Sequence, residues 1–232
     1  MSDPVTRIVV VRHGNTFNPG DVILRVGAAT DLPLTETGMR QAFAAGASLA
    51  EKGLAPRVIF HAPLRRTAQS AVGIAESFPD TALAEEAFLT ELDYGQDDGR
   101  PEDEVTLRLG MAEMIGSMTP DTSLEELREA GKAALKRWDG EALLPAGWHF
   151  LAARAAELNG QWRDFAARIA EEFPGEVVAA VTSNGIARFA KAILPEGEAP
   201  EGSLKLSTGA YGVFELCGGA WRCAEWNVRP QI

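Results

Sequence analysis

Residues 11–16 read Val-Arg-His-Gly-Asn-Thr and follow directly on the apolar run Ile8–Val11. Arginine presents a planar fork of donors that matches phosphate or carboxylate oxygens two at a time. The imidazole beside it can act as a nucleophile or carry a proton. Such a pair does chemistry only if something fixes it. The four apolar residues before it predict a buried strand, and Gly14 supplies a tight turn directly after. The pair then lies at the C-terminal edge of a strand, where α/β sheets bind ligands. Alone, three residues are a weak signal, equally consistent with a polar turn at a strand end.

Further blocks follow in order. They are Asp31-Leu-Pro-Leu-Thr-Glu-Thr-Gly38 with Gln41-Ala42, then Ala62-Pro-Leu-Arg-Arg66-Thr-Ala-Gln-Ser-Ala71, then Leu89-Thr-Glu91-Leu-Asp-Tyr-Gly95 with Gly99. Together with Arg12-His13-Gly14-Asn15-Thr16, this series resembles the motifs of the histidine phosphatase superfamily, also called phosphoglycerate mutase-like. The resemblance covers most of the chain outside a middle stretch of roughly residues 100–159. It implies a phosphohydrolase that acts on a phosphate monoester through a phosphohistidine. In that scheme His13 is the nucleophile, Glu91 the acid, and Arg12 and Arg66 the phosphate clamp, with Asn18 as a further contact. Asn18 falls one residue nearer to His13 than the family's usual asparagine. The chemistry is coherent: an ester with a poor leaving group needs cationic donors on its oxygens, an in-line nucleophile and an acid.

One departure stands out. Where the family carries Ser-His-Gly-Gly after a late strand, this chain reads Val181-Thr-Ser183-Asn184-Gly185-Ile-Ala-Arg188. Counting back from Arg188 puts Ser183 at the histidine position, whereas matching Ser-Asn-Gly directly puts Asn184 there. Either residue can also be a plain helix N-cap. Both remain candidate phosphate ligands, since hydroxyl, amide and free N–H groups at a helix start bind anions. The other histidines, His61 and His149, read as a strand-end residue and a residue of the middle segment. An alternative reading is therefore a degenerate member that binds a phosphorylated ligand or protein without turnover.

The supporting elements alternate. A helix is expected over Thr35–Leu49 with Thr35 or Thr37 as cap, a strand over Arg57–Phe60, and a helix over Arg65–Phe78. Then come an amphipathic helix Gly160–Phe173, a strand Val177–Thr182, a helix Ile186–Leu194, and a hairpin in which Tyr211–Cys217 and Ala220–Trp226 flank Gly218-Gly219. Alternation of this kind predicts a three-layer α/β/α sandwich with a mainly parallel sheet and a C-terminal hairpin. One domain over residues 1–232 is expected, with a helical cap inserted at about 100–159. That insertion opens on an acidic turn (Asp97, Asp98, Glu102, Asp103, Glu104), read as solvated surface, and holds a charged helix over Ser123–Trp138. Internal repeats and low-complexity linkers are not apparent.

Composition limits the partners. The formal charge of −11 argues against nucleic acid and anionic membranes, so an anionic substrate must be met by locally gathered arginines. The sequence has no apolar run long enough to span a bilayer and no secretory pattern, which points to a cytoplasmic protein acting on a small phosphorylated molecule. Cys217 and Cys223 read as packing residues. Neither a Gly-x-Gly-x-x-Gly nor a Walker A loop is present, and no cofactor is expected. Metal is expected to be dispensable as well, because the charge stabilisation falls to arginines and the chain has only 3 histidines. Turnover of a phosphate ester should survive excess chelator; loss that magnesium or zinc restores would count against this.

Overall fold

A computed structural model describes residues 5–232. Six strands form one sheet in the order β3-β2-β4-β1-β5-β6: β1 (Arg7–Arg12), β2 (Pro56–His61), β3 (Ala82–Glu85), β4 (Val177–Thr182), β5 (Tyr211–Cys217) and β6 (Ala220–Val228). β1 and β4 run parallel in the register Ile8↔Val178 to Arg12↔Thr182, and β2 lies parallel to both β4 and β3. β5 pairs antiparallel to β1 and to β6, so the hairpin expected at Gly218-Gly219 closes the sheet on one side. The result is an α/β fold with a mostly parallel sheet.

The apolar runs of β1 and β4 are central because both faces of each strand are covered. Ile8, Val10, Val178 and Ala180 face one core, with α5 (Ala152–Glu172) supplying Trp162, Phe165 and Ile169. Val9, Val11, Ala179 and Val181 face the other, with Ala45 and Leu49 of α1 (Glu36–Glu51) and Ala71 and Ile74 of α2 (Arg65–Ala75). α1 begins where Thr35 accepts the Gly38 N–H at 3.0 Å, so Thr35 rather than Thr37 is its cap.

The middle stretch holds α3 (Glu102–Met114) and α4 (Leu124–Glu141). Ser123 and Glu126 form a reciprocal capping box, which starts α4 where the charged helix was expected. α3 was not expected, because Val105, Leu107, Leu109 and Met111 alternate and mask a helical period. The two helices meet through glycines: a Cβ on Gly131 would strike the Thr106 carbonyl, and one on Gly110 the Leu127 carbonyl.

Other expectations shift. β3 is a short edge strand with mostly exposed side chains and so has no apolar signature. α5 starts at Ala152, eight residues before the anticipated Gly160, on an alanine-rich turn. The helix expected over Ile186–Leu194 is instead one α-turn, α6 (Asn184–Ala187), followed by a 3₁₀ stretch Arg188–Ile193. The tightening falls where Arg188 Nε donates to the Asn184 carbonyl at 3.1 Å. The acidic turn divides: Asp103 and Glu104 are exposed as expected, whereas Asp97 and Asp98 turn inward. Asp97 is 2% exposed, pairing with Arg108 and accepting the Trp148 indole N–H at 2.7 Å. Asp98 accepts the N–H groups of Gly27 and Ala29 at 3.0 and 2.9 Å. Side-chain donors thus draw Asp97 inward, and backbone donors that would otherwise be unpaired draw Asp98.

Gly131→Ala should destabilise the protein by about 1–3 kcal/mol through overpacking of the α3–α4 contact. Chemical denaturation measures it, and an unchanged midpoint would mean the helices separate at no cost.

Candidate active site

The parallel strands deliver their C-terminal ends to one edge of the sheet, and each of four brings a candidate residue there. β1 ends in Arg12 and is followed by His13; β2 leads to Arg66 in the first turn of α2; β3 leads to Glu91; β4 leads to Ser183 and Asn184. His13 is pinned from the backbone side, its N–H donating to the Thr182 carbonyl at 3.0 Å. Its Nδ1 lies 2.7 Å from the Gly14 carbonyl, an atom that only accepts, so the ring proton sits on Nδ1. The Nε2 lone pair is thereby left for an incoming atom. Burial pushes the His13 pKa well below the ordinary 6.5, and the charges of Arg66 and Arg12 push it the same way. The imidazole is neutral and nucleophilic at neutral pH.

Arg12 donates from Nη1 to the Leu206 carbonyl at 2.7 Å, while its buried Nε has no partner. Burial brings its pKa down to about 10, with Glu91 and Asp139 opposing, and it stays charged at neutral pH. Arg66 is fully buried; it donates to the carbonyls of Thr30 and Gly27 at 2.8 and 3.1 Å and from Nε to the Ser183 hydroxyl at 3.4 Å. Those contacts use three of five N–H groups and leave two. Glu91 is buried, and its carboxylate accepts the Leu92 and Gly185 N–H groups at 2.8 and 3.0 Å. A Cβ on Gly185 would strike Glu91 Oε1 and lie 2.7 Å from the Tyr94 hydroxyl, so only glycine leaves that carboxylate its place.

His13, Arg12, Glu91 and Asn184 line one cavity of about 660 Å³. Asn184 spends its side-chain oxygen on the Leu206 N–H at 3.0 Å, so the Leu206 peptide links Asn184 to Arg12. Ser183 and Arg66 lie behind the cavity wall, bonded to each other. Asn18 is not brought in: it is exposed, with its N–H on the Asp21 carboxylate at 2.7 Å, and Asn15, Thr16 and Phe17 take the adjacent wall. His61 is buried with Nδ1 2.8 Å from the Ala62 carbonyl, and His149 is exposed.

Several lining residues were not anticipated. Tyr94 sits inside the Glu91 block and was passed over there; burial, then Glu91, raises its pKa, so its hydroxyl keeps its proton. Arg188 is buried, stacks on Trp138 at 3.9 Å and pairs with Asp139. Arg25 lies over the rings of Tyr94 and Trp148 and pairs with Glu102. Arg128 and Lys132 come from α4, where their spacing of four shows a shared face but not what that face meets. Among the described residues, no group of three or more His, Cys, Asp or Glu side chains is placed to hold a metal ion. Nor is any helix there long and apolar enough to cross a membrane.

Fold and site together define an α/β protein that gathers an imidazole, guanidinium groups and a carboxylate at the C-terminal edge of a parallel sheet. The family model of the histidine phosphatase superfamily (branch 1) matches residues 8–113 of this chain. It is similar to fructose-2,6-bisphosphatase TIGAR of Bos taurus, 34% identical over 131 residues, which are 54% of this chain and 47% of that protein. The protein of the same name from Mus musculus is 33% identical over 138 residues, 56% of this chain and 49% of the relative. The chain thus spans about half the length of the curated relatives it matches. Among solved structures, a mycobacterial glucosyl-3-phosphoglycerate phosphatase with bound VO3 superposes with a TM-score of 0.67 at 20% identity, over 96% of this chain and 98% of that one. A phosphoglycerate mutase from Bacillus anthracis gives 0.68 at 19% identity, over 97% and 94%. These two share the fold.

Because the folded state holds His13 neutral while an unfolded chain protonates it near 6.5, acidification favours unfolding from about that pH downward. Stability should rise with pH through this window, and His13→Gln should flatten the rise. Urea midpoints measured across the window in both proteins check this; parallel profiles would place the proton elsewhere.

Proposed function

We propose that the protein hydrolyses a phosphate monoester through a phosphohistidine on His13. The observation that carries this reading is the neutral His13 ring, its Nε2 free, under the charge of two buried guanidiniums and on the wall of a cavity that also presents the Glu91 carboxylate. Nε2 attacks phosphorus as the P–O ester bond breaks, and the Glu91 carboxyl group passes to the departing oxygen the proton that the monoester monoanion brings in. Glu91, now a carboxylate, takes a proton from water, whose oxygen attacks the phosphohistidine and releases inorganic phosphate. Arg12, with its unpartnered Nε, meets the phosphoryl oxygens, and Arg66, behind the cavity wall, adds its positive charge from the second layer. Arginine charge makes the scheme complete without metal or cofactor.

Ser183 or Asn184 stands at the family's second histidine. Ser183 satisfies Arg66 rather than the ligand, and Asn184 holds the loop that carries Leu206, so both act as neutral supports of the clamp. Residues of about 100–159 form the cap: α4 lends Arg128, Lys132 and Asp139 to the cavity wall. The names of the relatives, all enzymes of phosphorylated metabolites, support a small-molecule substrate. A charge of −11 fits a cytoplasmic setting away from nucleic acid and anionic lipid.

Brief exposure to labelled phenyl phosphate and an alkaline quench should leave acid-labile phosphate on His13 and none on a His13→Ala variant. Glu91→Gln should slow hydrolysis of alkyl phosphates by about 10²–10⁴-fold, because their leaving groups need a proton, and spare nitrophenyl phosphate. An equal loss on both esters would make Glu91 a purely structural residue. Binding without turnover of any ester would favour the degenerate reading.

A further inference from the structure

The block Asp31–Gly38 with Gln41 supplies no reacting group, yet it is wrapped around the loop of the nucleophile. One peptide bond, between Gly14 and Asn15, is the point of contact. Its carbonyl, that of Gly14, accepts the His13 Nδ1 proton at 2.7 Å. Its N–H, that of Asn15, donates to Gln41 Oε1 at 2.8 Å, in the second turn of α1. A backbone N–H only donates, so the Gln41 atom that meets it is the oxygen. The Gln41 amide nitrogen is then turned to the Thr208 hydroxyl at 3.4 Å, and its stem lies against Gly209, where a Cβ would sit 2.7 Å from that of Gln41. The contacts on either side bracket this peptide without reaching its N–H. Ser70 Oγ accepts the Gly14 N–H at 3.2 Å, and the Thr35 N–H donates to the Asn15 carbonyl at 2.9 Å. Gln41 stands outside the cavity lining.

Two hydrogen bonds thus share one amide. Donation from its N–H polarises the group and makes its carbonyl the stronger acceptor for the ring. Direction matters more. If this peptide turned over, its N–H would face the imidazole and Nδ1 would have to accept. The ring proton would then sit on Nε2, and the lone pair that meets an incoming atom would be gone. We infer that Gln41 is a positioning residue: by holding the Gly14–Asn15 peptide it keeps the His13 proton on Nδ1 and leaves Nε2 open. This rests on the hydrolase reading only for what Nε2 attacks.

Nitrogen NMR of the 3 imidazoles reads the tautomer directly, with His13 identified by the signals lost in His13→Gln. The wild-type ring should carry its proton on Nδ1. Gln41→Leu, which keeps the bulk and removes the acceptor, should bring in the Nε2-protonated form. It should also slow single-turnover labelling of His13 by phenyl phosphate about 10–100-fold. Inorganic phosphate, bound by groups that Gln41 does not touch, should bind both proteins alike in calorimetry. Gln41→Glu keeps an acceptor, to which the Thr208 hydroxyl can also donate, and should restore both tautomer and rate. Gln41→Met repeats the test with a different shape should leucine unfold the chain. A wild-type tautomer in the apolar variants, or equal losses in the leucine and glutamate variants, would overturn the assignment. Phosphate binding that weakens in step with the rate would do the same, by making Gln41 a general support of the pocket. Absence of phosphohistidine on the wild type would sink the hydrolase reading and leave the tautomer comparison to decide on Gln41.

Discussion

Two guanidinium groups buried beside one imidazole set the terms for everything around them. A charged group out of water is costly unless it is hydrogen-bonded or paired. Arg66 is satisfied mostly by backbone carbonyls, those of Thr30 and Gly27, and Arg12 by that of Leu206. Carbonyls satisfy a donor without cancelling its charge, so the positive potential survives for an incoming anion. A carboxylate in the same places would have spent it, as Asp139 does for Arg188 and Lys205. Glu91 is the carboxylate whose charge acts on both arginines, and its own oxygens are steadied by the Leu92 and Gly185 amides.

The loops follow from this requirement. Carbonyls must be aimed, and something has to hold the peptides that carry them. Asp98 does so for Arg66, accepting the N–H groups of Gly27 and Ala29 in the turn whose carbonyls face the guanidinium. Asn184 does so for Arg12 by fixing the Leu206 peptide. These are positioning roles, one step removed from any ligand, and they explain why Asp98, in a turn expected as solvated surface, is drawn inward.

What the sequence disclosed tracks how local each cause is. β1 and β4 were readable because strands buried on both faces must be uninterrupted apolar runs, and Ser123 with Glu126 announced α4 through a contact spanning three residues. β3, exposed at the sheet edge, left no pattern, and α3 hid behind alternating apolar residues whose packing is decided by Gly131 on another helix. The site divided in the same way. Arg12, His13, Arg66 and Glu91 sit in short blocks, each carried by one strand end or helix start. Arg25, Arg188, Arg128 and Lys132 reach the cavity only through tertiary packing. Asn18 lies outside the cavity lining, in an exposed turn whose backbone N–H is taken by the Asp21 carboxylate.

In the proposed reading, where Ser183 or Asn184 takes the place of the family's second histidine, the substitution fits the same electrostatic logic. A second imidazolium would add a third positive charge to a pocket that already depresses the pKa of Arg12, Arg66 and His13. Each further like charge makes the others harder to keep ionised and the folded chain harder to hold. A serine bonded to Arg66 and an asparagine bonded to a backbone amide impose no such cost. In the proposed reading the chain gives up one charge-assisted donor, typically about 1.5–3 kcal/mol of transition-state contact. It keeps a resting pocket in which Arg12 and Arg66 retain their charge against backbone carbonyls rather than carboxylates.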